Sequence, residues 1–79
     1  MKAEIRLFAS FKKYLPDFAE GQKVIMELEE GTTIRTILQQ FGVPIQSVKL
    51  VFVNSVRAEL EDIIRDGDRI GVFPPVAGG

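Results

Sequence analysis

A chain of 79 residues makes one domain at most and lies near the size at which a single hydrophobic core is only just large enough. Hydrophobic residues at 46% and charged residues at 27% are ordinary for a globular protein and far from disordered or membrane compositions. Ten Lys and Arg against eleven Asp and Glu leave a net charge of -1, which argues against a free-standing nucleic-acid binder, and the lack of Cys and His removes disulfides, thiolate metal sites and the commonest general base.

Ala3, Ile5 and Leu7 alternate with Lys2, Glu4 and Arg6, the period of a strand with one buried face. Ser10 to Pro16 reads as a short helical connector, capped by Ser10 and stopped by the proline. After Gly21, Val24, Met26 and Leu28 alternate with Lys23, Ile25 and Glu27, a second strand antiparallel to the first, with Ile25 unexpectedly on its outer face. Glu29 to Thr33 is turn and cap material, and Ile34, Ile37, Leu38 and Phe41 follow at the spacing of an amphipathic helix of about ten residues. Gly42 and Pro44 end it.

Lys49 to Val53 predicts a third strand buried partly on both faces, turned by Asn54 and Ser55. Val56 to Arg65 shows no clear period and offers Leu60, Ile63 and Ile64 to the core. Asp66-Gly67-Asp68 marks a tight turn, Arg69 to Phe73 a last strand, and Pro74 and Pro75 its stop. The order matches the β-grasp (ubiquitin-like) arrangement, an α+β fold with a mixed sheet of four to five strands, the first and last strands parallel, and one main helix on one face. Residues 1–75 form the domain, 76–79 a flexible Gly-Gly tail, and the sheet face without a helix is left open for docking.

With no His or Cys, side-chain catalysis would rest on carboxylates, and these fall in turns: Glu29-Glu30, Glu59-Glu61-Asp62 and Asp66-Asp68. Solvation and local hydrogen bonding account for them there, none has calcium-loop spacing, and no metal site is expected. Gly21, Gly31, Gly42, Gly67 and Gly71 make no phosphate-binding pattern and read as turn and cap residues. Phe11, Tyr14 and Phe41 belong to the core or its edge, whereas strict alternation puts Phe8 and Phe73 on the face opposite the buried set. The longest strictly apolar run, Leu50 to Val53, is too short for a signal segment or a membrane span, so a cytoplasmic location is expected.

The sequence closes on Pro75-Val76-Ala77-Gly78-Gly79, which loses bulk toward its end and, when extended, reaches about 16 Å. A chain of that shape can thread a narrow channel, and glycine leaves its carboxylate uncrowded. The carboxylate has a reference pKa of about 3.5, is ionised at neutral pH, and needs activation before a nucleophile can attack it. Adenylation by a partner using ATP and Mg would supply that, making the chain a co-substrate with no cofactor of its own.

Over its full length, and most densely from Val53-Asn54 through Asp66-Gly67-Asp68-Arg69-Ile70 to Phe73-Pro74-Pro75-Val76-Ala77-Gly78-Gly79, the chain resembles the small subunit of molybdopterin synthase, a ubiquitin-like sulfur carrier. That resemblance implies that an E1-like adenylyltransferase activates Gly79, that a sulfur donor converts it to a thiocarboxylate, and that the tail, Val76 to Gly79, delivers sulfur to a pterin precursor inside the large subunit. Two small and two large subunits would assemble, the small one non-catalytic alone. By the same resemblance Phe8, Phe73, Pro74 and Pro75 contact the partner, while Arg57 departs from the family by replacing an apolar member of that patch. Carriers for thiamine synthesis or tRNA thiolation and ubiquitin-like modifiers of lysine remain open, as does a β-grasp binding module without tail chemistry.

Overall fold

The computed structural model describes residues 1–75. Strand β1 (Lys2–Leu7) buries Ala3, Ile5 and Leu7 and turns Lys2, Glu4 and Arg6 the other way. Strand β2 (Lys23–Glu27) pairs with it antiparallel, Ile5 opposite Val24, and Ile25 stands 55% exposed on the outer face. Helix α1 (Ile34–Phe41) is eight residues long, the span of its apolar stripe and a little shorter than expected. Thr33 accepts a hydrogen bond from the Thr36 N–H at one end, and Gly42 adopts φ 84° at the other, which only glycine takes without strain.

Strand β3 (Leu50–Val53) turns through Asn54 and Ser55 into a two-residue strand β4 (Val56–Arg57), and β5 (Arg69–Phe73) closes the sheet. The five strands lie in the order β2-β1-β5-β3-β4, with β1 and β5 parallel and the other pairs antiparallel. Ile34, Ile37 and Leu38 of α1 join Ile5, Leu7, Val51, Ile70 and Val72 in one cluster on the helix side. Among the described residues, no helix lies on the opposite side. The fold is therefore the expected ubiquitin-like β-grasp, with the helix on one face only.

Three expectations change. The connector is a 3-10 helix from Ala9 to Tyr14 that begins before Ser10, so Ser10 lies inside it and no side chain caps it. Its entry is Ala9, whose φ of 52° turns the chain sharply after Phe8. Of the three core candidates after β4, Ile64 is buried and Leu60 half-buried, but Ile63 is 57% exposed because the segment has no repeating element to hold it inward. Gly71 is neither turn nor cap: it sits in the middle of β5. The acids behave as turn residues. Asp68 accepts hydrogen bonds from Asn54 Nδ2 at 3.0 Å and the Arg65 N–H at 2.8 Å, and Asp66 accepts one from the Lys2 N–H at 2.7 Å.

Candidate functional site: the open sheet face

The open face is built by the residues that alternate away from the core. Phe8 follows Leu7, and its N–H still donates to the Val72 carbonyl at 3.2 Å, so it extends β1 by one residue before Ala9 diverts the chain. Phe73 ends β5 on the same side, and Phe52 projects there because Val51, before it in β3, is buried. The rings of Phe8 and Phe73 stack with centroids 4.3 Å apart and planes 4° from parallel, and Phe52 meets Phe73 edge-on at 5.9 Å. Such pairs contribute about 0.5–1.5 kcal/mol each beyond burial. All three stay half-buried.

Gly71 makes room for them. A Cβ there would lie 3.3 Å from Cε2 of Phe8 and 3.6 Å from Cε1 of Phe73. The rings therefore lie down over the bare backbone of β5. Around them Arg6, Asn54, Ser55 and Arg69 complete a shallow hollow. Arg6 is ion-paired with Glu4 on the same strand. Arg57 faces Phe52 across the β3–β4 ladder and so stands at the rim of this face.

Two of the four expected partner contacts, Phe8 and Phe73, are thus brought together, and Phe52 joins them. Phe52 was hidden in the sequence by its neighbours: Leu50-Val51-Phe52-Val53 is apolar throughout and shows no polar alternation to reveal which residue turns outward. Pro74 and Pro75 lie elsewhere, in a second hollow with Phe11, Tyr14, Pro44 and Ser47. Val76, Ala77, Gly78 and Gly79 fall outside the described residues. Among the described residues no three Asp or Glu side chains converge to hold a metal ion, and no helix is long and apolar enough to cross a membrane. Away from the aromatic rings, at the β2 edge of the sheet, the Met1 ammonium is raised above its ordinary 8.0, chiefly by its hydrogen bond to the Glu27 carboxylate.

The Mut7-C ubiquitin family profile matches residues 1–78. The chain belongs to the Mut7-C ubiquitin family. Solved structures share the fold of this family member at low identity. A crystal structure of SAMP1 from Haloferax volcanii is 22% identical with TM-score 0.72, covering 100% of both chains. A putative molybdopterin converting factor subunit 1 from Pyrococcus furiosus is 24% identical with TM-score 0.68, covering 95% of this chain and 98% of its own. The complex of subunits 1 and 2 of molybdopterin-converting factor from Helicobacter pylori contains a chain 23% identical with TM-score 0.63, covering 100% of both. A comparison with curated proteins gives no match. The chain thus shares the fold of small archaeal modifier protein 1 and of molybdopterin-converting factor subunit 1.

Proposed function

We propose that this Mut7-C ubiquitin protein is a sulfur carrier for molybdopterin synthesis: it docks by the open face of its sheet and presents Gly78-Gly79 to its partners. The carrying observation is that β5 ends on the stacked Phe73 and is followed in sequence by Pro74-Pro75-Val76-Ala77 and then Gly78-Gly79. A rigid parallel strand thereby fixes the start of the tail relative to the docking patch. Phe8 and Phe73 anchor the large synthase subunit and the E1-like adenylyltransferase, and the proline pair stiffens the exit.

With Gly79 as the free end, its carboxylate oxygen attacks the α-phosphorus of the partner's Mg-ATP and pyrophosphate leaves. A hydrosulfide equivalent from the sulfur donor then adds to the acyl carbon of the adenylate, AMP departs, and a thiocarboxylate remains. In the large subunit the thiocarboxylate sulfur would displace an oxygen leaving group of the pterin precursor to give a thioester, and water would cleave that thioester, leaving a thiol on the pterin and returning the Gly79 carboxylate. The chain contributes position and a leaving carboxyl, not side-chain catalysis. A second reading, attachment of Gly79 to lysine amines, is favoured by the likeness to SAMP1 and its small archaeal modifier description.

Intact mass after incubation with the E1-like enzyme, ATP and a sulfide source is the test. Replacement of one oxygen by sulfur is expected in the full chain. Deletion of Gly79 should abolish it, because the carboxylate retreats by about 3.3–3.6 Å, while an error of about 1 Å can cost a hundredfold in an aligned reaction. Thiolation of the shortened chain at the parental rate would reject the mechanism, and lysine adducts without any thiocarboxylate would favour the modifier.

A further inference from the structure

The chain as a whole has a net charge of -1, yet the open face is basic. Lys2, Arg6 and Lys23 point to it from β1 and β2, Arg69 from β5 and Arg57 from β4, against Glu4 and Glu27. Glu4, which stands opposite Arg69 on the β1–β5 ladder, is engaged by Arg6. Arg57 and Arg69 are exposed and have no ion-pair partner among the described residues. Both lie on the β5–β3–β4 side of the aromatic patch: Arg69 lines the hollow with Phe8, Phe52 and Phe73, and Arg57 stands beyond Phe52 at the corner where the β3–β4 hairpin begins a third hollow, which Asp62 and Asp68 also line without pairing with it.

We infer that this face selects a protein partner whose docking surface is apolar at its centre and carries at least one carboxylate facing Arg69 and Arg57. The inference rests on the docking role proposed above and specifies the chemistry of the surface that is recognised. A guanidinium placed beside an aromatic patch forms bidentate pairs with carboxylates and is weakly hydrated, so its desolvation at an interface costs less than that of lysine. Peripheral charge pairs of this kind govern on-rate and exclude wrong partners more than they add affinity. Arg57 is thereby a discriminator: an uncharged partner surface would bury it without a counter-charge, which is costly. A single-stranded RNA on the same aromatic and basic face is disfavoured, because the stack of Phe8 on Phe73 at 4.3 Å already uses one face of each ring and leaves fewer platforms for successive bases.

Arg57→Glu and Arg69→Glu, each alone, are titrated calorimetrically against the E1-like enzyme and the large synthase subunit of the same host, beside the parent and Gln39→Glu/Gln40→Glu. This double variant makes the same net charge change as either reversal on the exposed side of α1, away from the open face. Melting curves confirm that each variant is folded. Arg69→Glu should weaken at least one partner tenfold or more at about 0.05 M salt, Arg57→Glu should weaken the same partner, and both deficits should shrink as salt approaches about 1 M. The glutamine variant should bind like the parent. Parental affinity in both arginine variants overturns the inference alone, and an equal loss in the glutamine variant overturns it by showing a net-charge effect. A parent that binds neither protein defeats the carrier reading, and the inference falls with it. Submillimolar binding of an oligouridine lost in Arg69→Glu would overturn it in favour of nucleic acid.

Discussion

The two faces of the sheet are made from alternate residues of the same strands and are finished in opposite ways. On one face Ile5, Leu7, Ile70 and Val72 are sealed against solvent under α1. On the other, Phe8, Phe52 and Phe73 are covered by no element among the described residues and pack on one another. The first face holds β-branched and aliphatic chains, which fill a closed volume at near-crystalline density. The second holds flat rings above a glycine, which hold together as a group and still offer their outer edges. An apolar residue therefore stabilises the domain on one side and remains available to a partner on the other.

Ile5→Ala should produce the largest change. The side chain is fully buried in the centre of β1, with Val24 and Ile70 beside it in the sheet, so its truncation leaves a cavity and costs about 2–5 kcal/mol. A domain of this length has on the order of 4–12 kcal/mol in total. Chemical denaturation should show a large fall in midpoint. A loss below about 1 kcal/mol would mean that the closed face is no better packed than the open one.

Phe73→Asp should divide the faces most clearly. It removes two aromatic contacts at a half-buried site, so stability should fall by about 1–2 kcal/mol and the chain should remain folded. Affinity for the large subunit should fall at least tenfold, because a carboxylate would be buried against an apolar surface. Calorimetry with circular dichroism on the same sample measures both. Unchanged affinity would remove Phe73 from the docking surface.

How far these faces could be read beforehand depended on how polar the alternate residues were. In β1 and β2 the outward positions are mostly charged, so the period of two is visible and the buried set follows directly. In β3 both faces are apolar, one for the core and one for the patch, and Phe52 was lost in the run. The segment after β4 was opaque for another reason: its shape comes from single long-range hydrogen bonds, such as Arg35 N–H to the Leu60 carbonyl and Ile34 N–H to the Asp62 carbonyl, which leave no periodic trace. Arg57 was legible as a departure, but only the ladder that sets it opposite Phe52 places it beside the rings. The role of Gly71 was misread because turn glycines and strand glycines look alike until the rings above them are in place.

Gly71→Ala makes the smallest change and the sharpest comparison, since it adds one methyl group at the centre of the open face. Its φ is not in the left-handed region, so alanine meets no backbone strain, and exchanging glycine in a strand stabilises by about 0.5–1 kcal/mol through lost freedom of the unfolded chain. Against this, the new Cβ would sit 3.3 Å from the Phe8 ring, tighter than ordinary contact, and Phe8 would have to withdraw by a few tenths of an ångström. Phe8 is only half-buried and has open solvent on one side, so it can move, and the two effects should leave stability within about 1 kcal/mol of the parent, or a melting shift below about 8 °C. Binding should suffer more than folding, because the displaced ring also disturbs its stack with Phe73 and alters the surface that a partner must match; a severalfold loss of affinity is expected. Melting curves and calorimetry on one preparation decide it. Destabilisation beyond about 2 kcal/mol would show that the aromatic face is as unyielding as the core, and an unaltered affinity would show that partners do not depend on how the rings lie.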